Sequence, residues 1–567
     1  MPLLERPRLY RVRRALFGAF FGALRAALTV AAVASAAHAA EPTVAFVVVR
    51  ADTLIGLSNQ VLVSPAAWHE VARLNHLRNP NRLLPGQVLM IPTRLMRSTS
   101  VDAKLLSAVG DVRAGDAPAA AGTVLTEGQS LQTGPASSAV LELADGSRLQ
   151  LPPSSLLQVA TSRNYGARGA AADASAANAS GGWFAGTMRV LRGSVEVFAT
   201  KVLRARPLEV VTPTAVVGVR GTQYRVGLDA GADSLTHSEV LEGAVRFDAA
   251  SGAAGTELPS GFGASISAGA GAPTVAKLLA APDLSALPAR FDKPLVRFAL
   301  PAETTPLRVQ VASDSGFEKV VSDQRIEPGA DVRIAGLADA QWHLRARRID
   351  AQGIEGYDAT RSFVLKARPT PPAYRAPRSG AKQAVGSVEF AWAPNDAAPQ
   401  VHLQIAEDAA FTRIVHDRSA LTGTALRIDM PTAGSYFWRL GSVRADGDAG
   451  PFGDAQPFEL RPMPAPPAGG RSADGTALVF TWSGRPQDRQ QVQLARDAAF
   501  QQITAQAELT TSEWTLPVPS RGGRYYFRYR SVEPDGFVGP YSDTLRVDVP
   551  RDWSGLWLLL PATVLLF

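Results

Sequence analysis

The sequence predicts a mainly β, multidomain protein, and three observations carry that reading. At 567 residues the chain is several times longer than a single hydrophobic core allows. Its 49 Gly and 41 Pro, set in a sequence that is 46% hydrophobic with no sustained heptad run, favour short strands joined by turns. Finally, the second half repeats itself: LRVQVASDSGFEKVV from Leu307, VHLQIAEDAAFTRIV from Val401 and VQLARDAAFQQIT from Val492 share an alternating strand, an acidic residue and a Phe. The same offsets align Trp342, Tyr436 and Tyr525, and then Arg345, Arg439 and Arg528, so one domain occurs three times.

Composition narrows the function class. The formal net charge is +7, but residues 1–39 carry six Arg against Glu5, and removing them leaves +2, which is no electrostatic footprint for nucleic acid. The chain has no cysteine, which excludes disulfides, lipidated cysteine and thiolate metal sites together. Residues 1–40 have the three parts of a secretory signal: an Arg-rich start to Arg25, an apolar run Ala26–Ala34 and Ala37-His38-Ala39 as the cleavage site. The expected location is the periplasm or cell envelope.

Residues 45–93 form the first domain. A strand at Phe46–Val49 leads to Asp52 or Thr53 as helix cap, and Leu54, Leu57 and Val61 follow at helical spacing. Pro65 opens a second helix with Trp68, Val71, Ala72 and Leu74 on its apolar stripe, and Val88–Ile91 is the return strand. This β-α-α-β pattern resembles a LysM peptidoglycan-binding domain over the family's whole length. The resemblance implies binding of N-acetylglucosamine polymers between two loops, which here hold Asp52, Thr53 and Leu54 on one side and Asn79, Pro80, Asn81, Arg82 and Leu83 on the other. Thr53, Leu54 and Leu83 have an alternative reading as cap and core. Ala51 stands where the family usually has Gly.

After a polar linker, 94–107, an all-β region is expected over 108–272. Ala139–Leu143 and Arg148–Leu151 flank Asp145-Gly146, a hairpin signal, while 166–182 is an Ala/Ser/Gly-rich mobile insertion. The stretch Thr212-Pro213-Thr214-Ala215, Gly218-Val219-Arg220-Gly221-Thr222 and Val240-Leu241-Glu242-Gly243 resembles the FecR-like periplasmic domain. That resemblance implies an interaction or signalling module with an unidentified envelope protein as partner. Arg220 is the protein-contact candidate, with a structural role bracing a neighbouring carboxylate as the alternative. Tyr224 is expected on a packed strand face and His237 at the surface.

The three repeats fall at 285–367, 372–461 and 465–550. An early aromatic (Phe298, Trp392, Trp482), a late aromatic–Arg strand and a Gly-containing turn resemble fibronectin type III sandwiches, with Pro-rich joints as spacers. The tail 551–567, with WSGLWLLLPATVLLF from Trp553, is too short to span a bilayer; peripheral membrane contact and docking on a protein are its two readings. No catalytic or metal constellation is expected: seven scattered His have no ligand spacing, the domains leave no stretch for a catalytic fold, and no cofactor is implied.

Overall fold

The computed structural model describes residues 42–550 apart from 49, 167–182, 203, 220, 230–233, 253–254 and 301–302. The expected signal sequence, the expected insertion apart from Gly166, Arg220 and the apolar tail therefore lie outside the described residues. The chain divides into two compact units. Among the described residues no helix is long and apolar enough to cross a membrane.

The first unit is the β-α-α-β segment together with a short later piece, 164–166, 183–184 and 204–206. Strand β1 (Thr43–Val47) pairs antiparallel with β2 (Val88–Pro92). Between them lie α1 (Leu54–Val61) and α2 (Trp68–Leu74), the latter preceded by a 3-10 turn at Pro65–Ala67. Helix α1 starts as its cap predicts, with Thr53 Oγ1 accepting from Gly56 N at 3.0 Å, and it buries Leu54, Leu57 and Val61. Asn75 ties the end of α2 to β2: its Nδ2 donates to Val71 O and Met90 O, and its Oδ1 accepts from Met90 N. The predicted stripe of α2 is narrower than expected, since Val71 is buried but Leu74 is 45% exposed. Trp183, which nothing in the local sequence connects with this domain, places its ring 5.7 Å from that of Phe46 and extends this small core.

The second unit opens with the FecR-like region, where strands from Ala103–Val109 to Thr274–Lys277 join in a closed succession of ladders. The predicted hairpin forms, with Leu141 opposite Leu149, Gly146 at φ 79° and Ser147 N donating to Asp145 Oδ1. The alternation of inward and outward side chains expected for a half-exposed hairpin is absent: Ala139, Val140, Leu141 and Leu149 are all buried, and further strands pair with both edges of the hairpin. The long strand Trp183–Phe198 pairs parallel with Leu208–Val211 through Thr187–Arg189, then antiparallel with Gln223–Asp229 through Gly193–Phe198. Tyr224 is fully buried, as predicted.

Three β-sandwiches follow. The first packs a five-stranded sheet, which includes Leu307–Ala312, Val320–Ile326 and Ala340–Arg348, on the pair Val296–Phe298 and Val332–Ile334. Phe298, Trp392 and Trp482 are buried in the three cores, together with Trp342, Tyr436 and Tyr525. Each of the last three also donates to the carbonyl four residues upstream: Trp342 Nε1 to Ala338, Tyr436 Oη to Thr432 and Tyr525 Oη to Arg521. A long aromatic side chain with a polar tip can fill the core and hold a loop carbonyl at once, as in the tyrosine corner of such sandwiches. The Phe of each repeat adopts positive φ (Phe317 55°, Phe411 57°, Phe500 56°). The acidic residue three positions before it pins that turn by accepting backbone amides, for instance Gln501 N and Gln502 N on Asp497.

Candidate functional site

Two places concentrate groups that can do chemistry with a partner. In the first unit, Val47 pairs with Val88, and Val48 exchanges backbone hydrogen bonds with Gly86 and Gln87. Antiparallel pairing thus brings the loop after β1 and the loop before β2 to one end of the sheet. Asp52 and Thr53 belong to the first loop, with Leu54 the first residue of α1 after it; Asn79, Pro80, Asn81, Arg82 and Leu83 belong to the second. Thr53, Asn79, Asn81 and Arg82 are exposed, and Asp52, Pro80 and Leu83 are half-buried. Leu54 is only 2% exposed, so its side chain is core and its backbone is what the loop can offer a ligand. Asn79 Oδ1 accepts from Asn81 N at 3.0 Å, an Asx turn that shapes the second loop.

Ala51 sits in this first loop at φ 75°, a left-handed conformation that costs an L-residue about 1–2 kcal/mol. Ala51→Gly is therefore expected to stabilise the first unit by about 1 kcal/mol, read as a rise in the urea midpoint with unchanged slope.

The second place is where the FecR-like region meets the first sandwich. Cross-strand pairing sets His237 opposite Gly227, and a Cβ there would lie 2.1 Å from His237 Nε2, so only glycine leaves room for the ring. Gly263 does the same for the neighbouring domain, since a Cβ would meet Ile354 Cγ2 at 2.5 Å. Around these two glycines ionic groups are buried. His237 Nδ1 is 2.7 Å from Glu239 Oε1, and that oxygen also accepts Glu355 N of the sandwich at 3.1 Å. Arg225 donates to Gly356 O at 3.1 Å and to Asp358 Oδ2 at 2.7 Å. Glu196 lies 3.0 Å from Arg345, which also donates to Gln310. Arg347 donates to Glu355 and, at 3.1 Å, to Asp358, while Arg308 bridges Asp323 and Glu355.

The charges of this junction balance when His237 is protonated. Arg225, Arg308, Arg345, Arg347 and His237 face Glu196, Glu239, Asp323, Glu355 and Asp358. Burial opposes a charge on His237, but the Glu239 carboxylate beside it, with Glu355 and Asp229 behind, pushes its pKa up to about 9. Burial likewise opposes ionisation of Glu355, and Arg347 and Arg308 overcome it and hold that carboxyl well below the usual range. The same balance, with Arg225 the foremost of its cationic neighbours, lowers Asp358.

His237 was expected at the surface and is 3% exposed. The expectation failed because nothing near His237 in sequence shows that Gly227 and a second domain enclose it. The repeat registers did single out Arg345, but not its carboxylate partner 149 residues earlier. Among the described residues no group of His and acidic side chains could hold a metal ion.

Comparison with known proteins finds two family matches. A family model described as LysM domain matches residues 46–92, and one described as FecR protein matches residues 129–246. The chain carries a LysM domain and a FecR domain. The FecR model ends before Glu355 and Asp358, so the buried junction extends beyond the matched residues. No curated protein sequence matches the chain.

Among solved structures, one described as a "putative anti-sigma factor" from Parabacteroides distasonis is similar at 15% identity. That match covers 26% of this chain and 59% of the other, with a TM-score of 0.20. The chicken CNTN1 FN1-FN3 domains match at 13% identity over 44% and 90%, and the Clostridium thermocellum CbhA fibronectin(III)-like modules at 12% over 32% and 94%, each with a TM-score of 0.20. LysM domains are peptidoglycan-binding modules and FecR domains are signalling modules with protein partners, and both belong to the cell envelope.

Proposed function

We propose that this chain is a non-enzymatic envelope protein, exported by a cleaved signal peptide, that attaches to peptidoglycan through its LysM domain. Asp52, Thr53, Asn79, Asn81 and Arg82, with the Leu54 backbone and the flanks of Pro80 and Leu83, contact the glycan. Polar side chains and backbone amides at one end of a small sheet suit sugar hydroxyls and acetamide carbonyls, and half-buried Leu83 suits an acetamide methyl. The FecR domain and the sandwich stalk are then presented for protein interaction or signalling at the wall. The observation that carries this reading is a LysM domain, with its two loops at one sheet end, in a chain whose FecR domain is joined to the first sandwich by a buried ionic junction.

Protein lacking residues 1–40 is expected to co-sediment with purified peptidoglycan sacculi, and deletion of 45–92 to abolish pelleting. An unchanged pelleted fraction after that deletion contradicts the tether. The FecR match favours a second reading, a signal-transducing subunit of a membrane sensor complex.

A further inference from the structure

The first sandwich shows how this repeat receives another domain. On the outer side of its larger sheet, Arg345 and Arg347 are 8% and 4% exposed. Two carboxylates of the same sandwich, Glu355 and Asp358, and one from the FecR domain, Glu196, meet these guanidiniums. Gln310 supports Arg345 from below, and the Phe317 ring lies 4.6 Å from its guanidinium carbon.

The third sandwich keeps the receiving groups and lacks the anions. In the repeat register, Arg528 and Arg530 stand where Arg345 and Arg347 stand, with Gln493 for Gln310 and Phe500 for Phe317. Arg528 Nε donates to Gln493 at 3.0 Å and Arg530 Nε to Gln491 at 2.8 Å. The Arg528 guanidinium lies 3.8 Å from the centres of both the Phe500 and Tyr541 rings, and that of Arg530 4.5 Å from Tyr541. The positions of Glu355 and Asp358 are taken by Val538, 45% exposed, and by Tyr541 itself. Among the described residues no carboxylate oxygen lies within 4.0 Å of either arginine. Of the acids nearby on the same sheet, Glu508 pairs with Arg489 and Asp548 with Arg546.

Two half-buried guanidiniums, fixed by glutamines and aromatic rings but without counter-charge, are rigid forks preorganised for carboxylates. Aromatic-backed arginine beside an exposed apolar residue is also the composition of binding hot spots. The second sandwich has only half of this arrangement: Arg439 is stacked between Phe411 and Phe452, but Gly441 replaces the second arginine.

We propose that the Arg528–Arg530 face of the third sandwich is the docking surface for a protein partner that presents carboxylates from a β-strand, received as Glu196 is received by Arg345. This deepens the reading of the stalk as a platform for protein interaction and rests on it. Sacculus binding, which these two arginines do not serve, keeps a failure here separate from a failure of the tether.

The test uses the full chain in cells that make it, with a photo-crosslinking amino acid at Val538 and a control at exposed Arg427 on the second sandwich. The expected result is a protein adduct at 538 whose mapped peptide carries Asp or Glu on a strand, absent from the control. Its yield falls at least tenfold in Arg528→Glu/Arg530→Glu and stays within about twofold in Arg528→Lys/Arg530→Lys. Exchanging the mapped acid for Arg restores the adduct to the Glu variant. Should the double Glu variant lack the wild-type thermal transition, Arg530→Gln takes its place in the comparison. Absence of an adduct, an adduct indifferent to charge reversal, an adduct to lipid or glycan alone, or failure of the reciprocal exchange overturns the proposal.

Discussion

Glu355→Ala is expected to cost the FecR domain and first sandwich about 3–5 kcal/mol, the range for removing one partner of a buried ion pair. Glu355 is 3% exposed and faces both Arg347 and Arg308, so its loss leaves Arg347 without its nearest anion and Arg308 with Asp323 alone, in a largely buried site. The cost comes from stranding those charges rather than from losing an unusually favourable contact, because desolvation offsets most of what a buried pair gains. For a unit of this size the fall in Tm is on the order of 10 °C, measurable by scanning calorimetry. Glu327→Ala, which removes an exposed partner of Arg325, is the control and is expected to change stability by less than about 0.5 kcal/mol. Equal effects of the two substitutions would mean that the junction is solvated and not a buried network.

Alkaline pH is expected to weaken the same junction through His237. Its folded-state pKa of about 9 lies above the unfolded value near 6.5, so protonated His237 binds its proton more tightly when the chain is folded. The stability it contributes is fully present below pH 6.5, declines as pH rises and is gone above about 9. The difference between the two pKa values corresponds to about 3 kcal/mol. Loss of the proton leaves five carboxylates facing four arginines, and Glu239 then holds the Glu355 amide without its cationic support. Urea unfolding of wild type is expected to lose about 1.4 kcal/mol per pH unit through this window relative to His237→Gln, which lacks the titrating group. Parallel pH profiles for the two proteins would show that His237 is neutral in the fold.

How much was legible follows the range of the interactions. The LysM helices could be read because capping by Thr53 and the spacing of Leu54, Leu57 and Val61 act within two turns. The Asp145-Gly146 hairpin could be read because turn chemistry is local, whereas the strands that pair with its two edges could not, since they are distant in sequence. Leu74 belongs to the helical stripe by periodicity yet is exposed, because in so small a domain the second helix meets other elements along a narrow line. For the candidate groove, the sequence named the residues, and the pairing of Val47 with Val88 put their two loops at one end of the sheet.

By itself the sequence determined the mainly β class, the LysM and FecR segments, and the threefold repeat with its recurring Phe, aromatic and Arg positions. The class and the repeat follow from periodicity, turn residues and self-similarity along the chain, whereas the LysM and FecR segments are identified by their resemblance to those families. Tertiary structure alone decided that His237 is buried against Glu239, and that the repeated arginine meets Glu196 in one sandwich while, among the described residues, its counterparts in the others meet glutamine and aromatic rings. The physical reason is desolvation: a charge leaves water where opposite charges are brought to it, and here they come from its own domain, as Glu239 does for His237, and from a second one, as Glu196 does for Arg345.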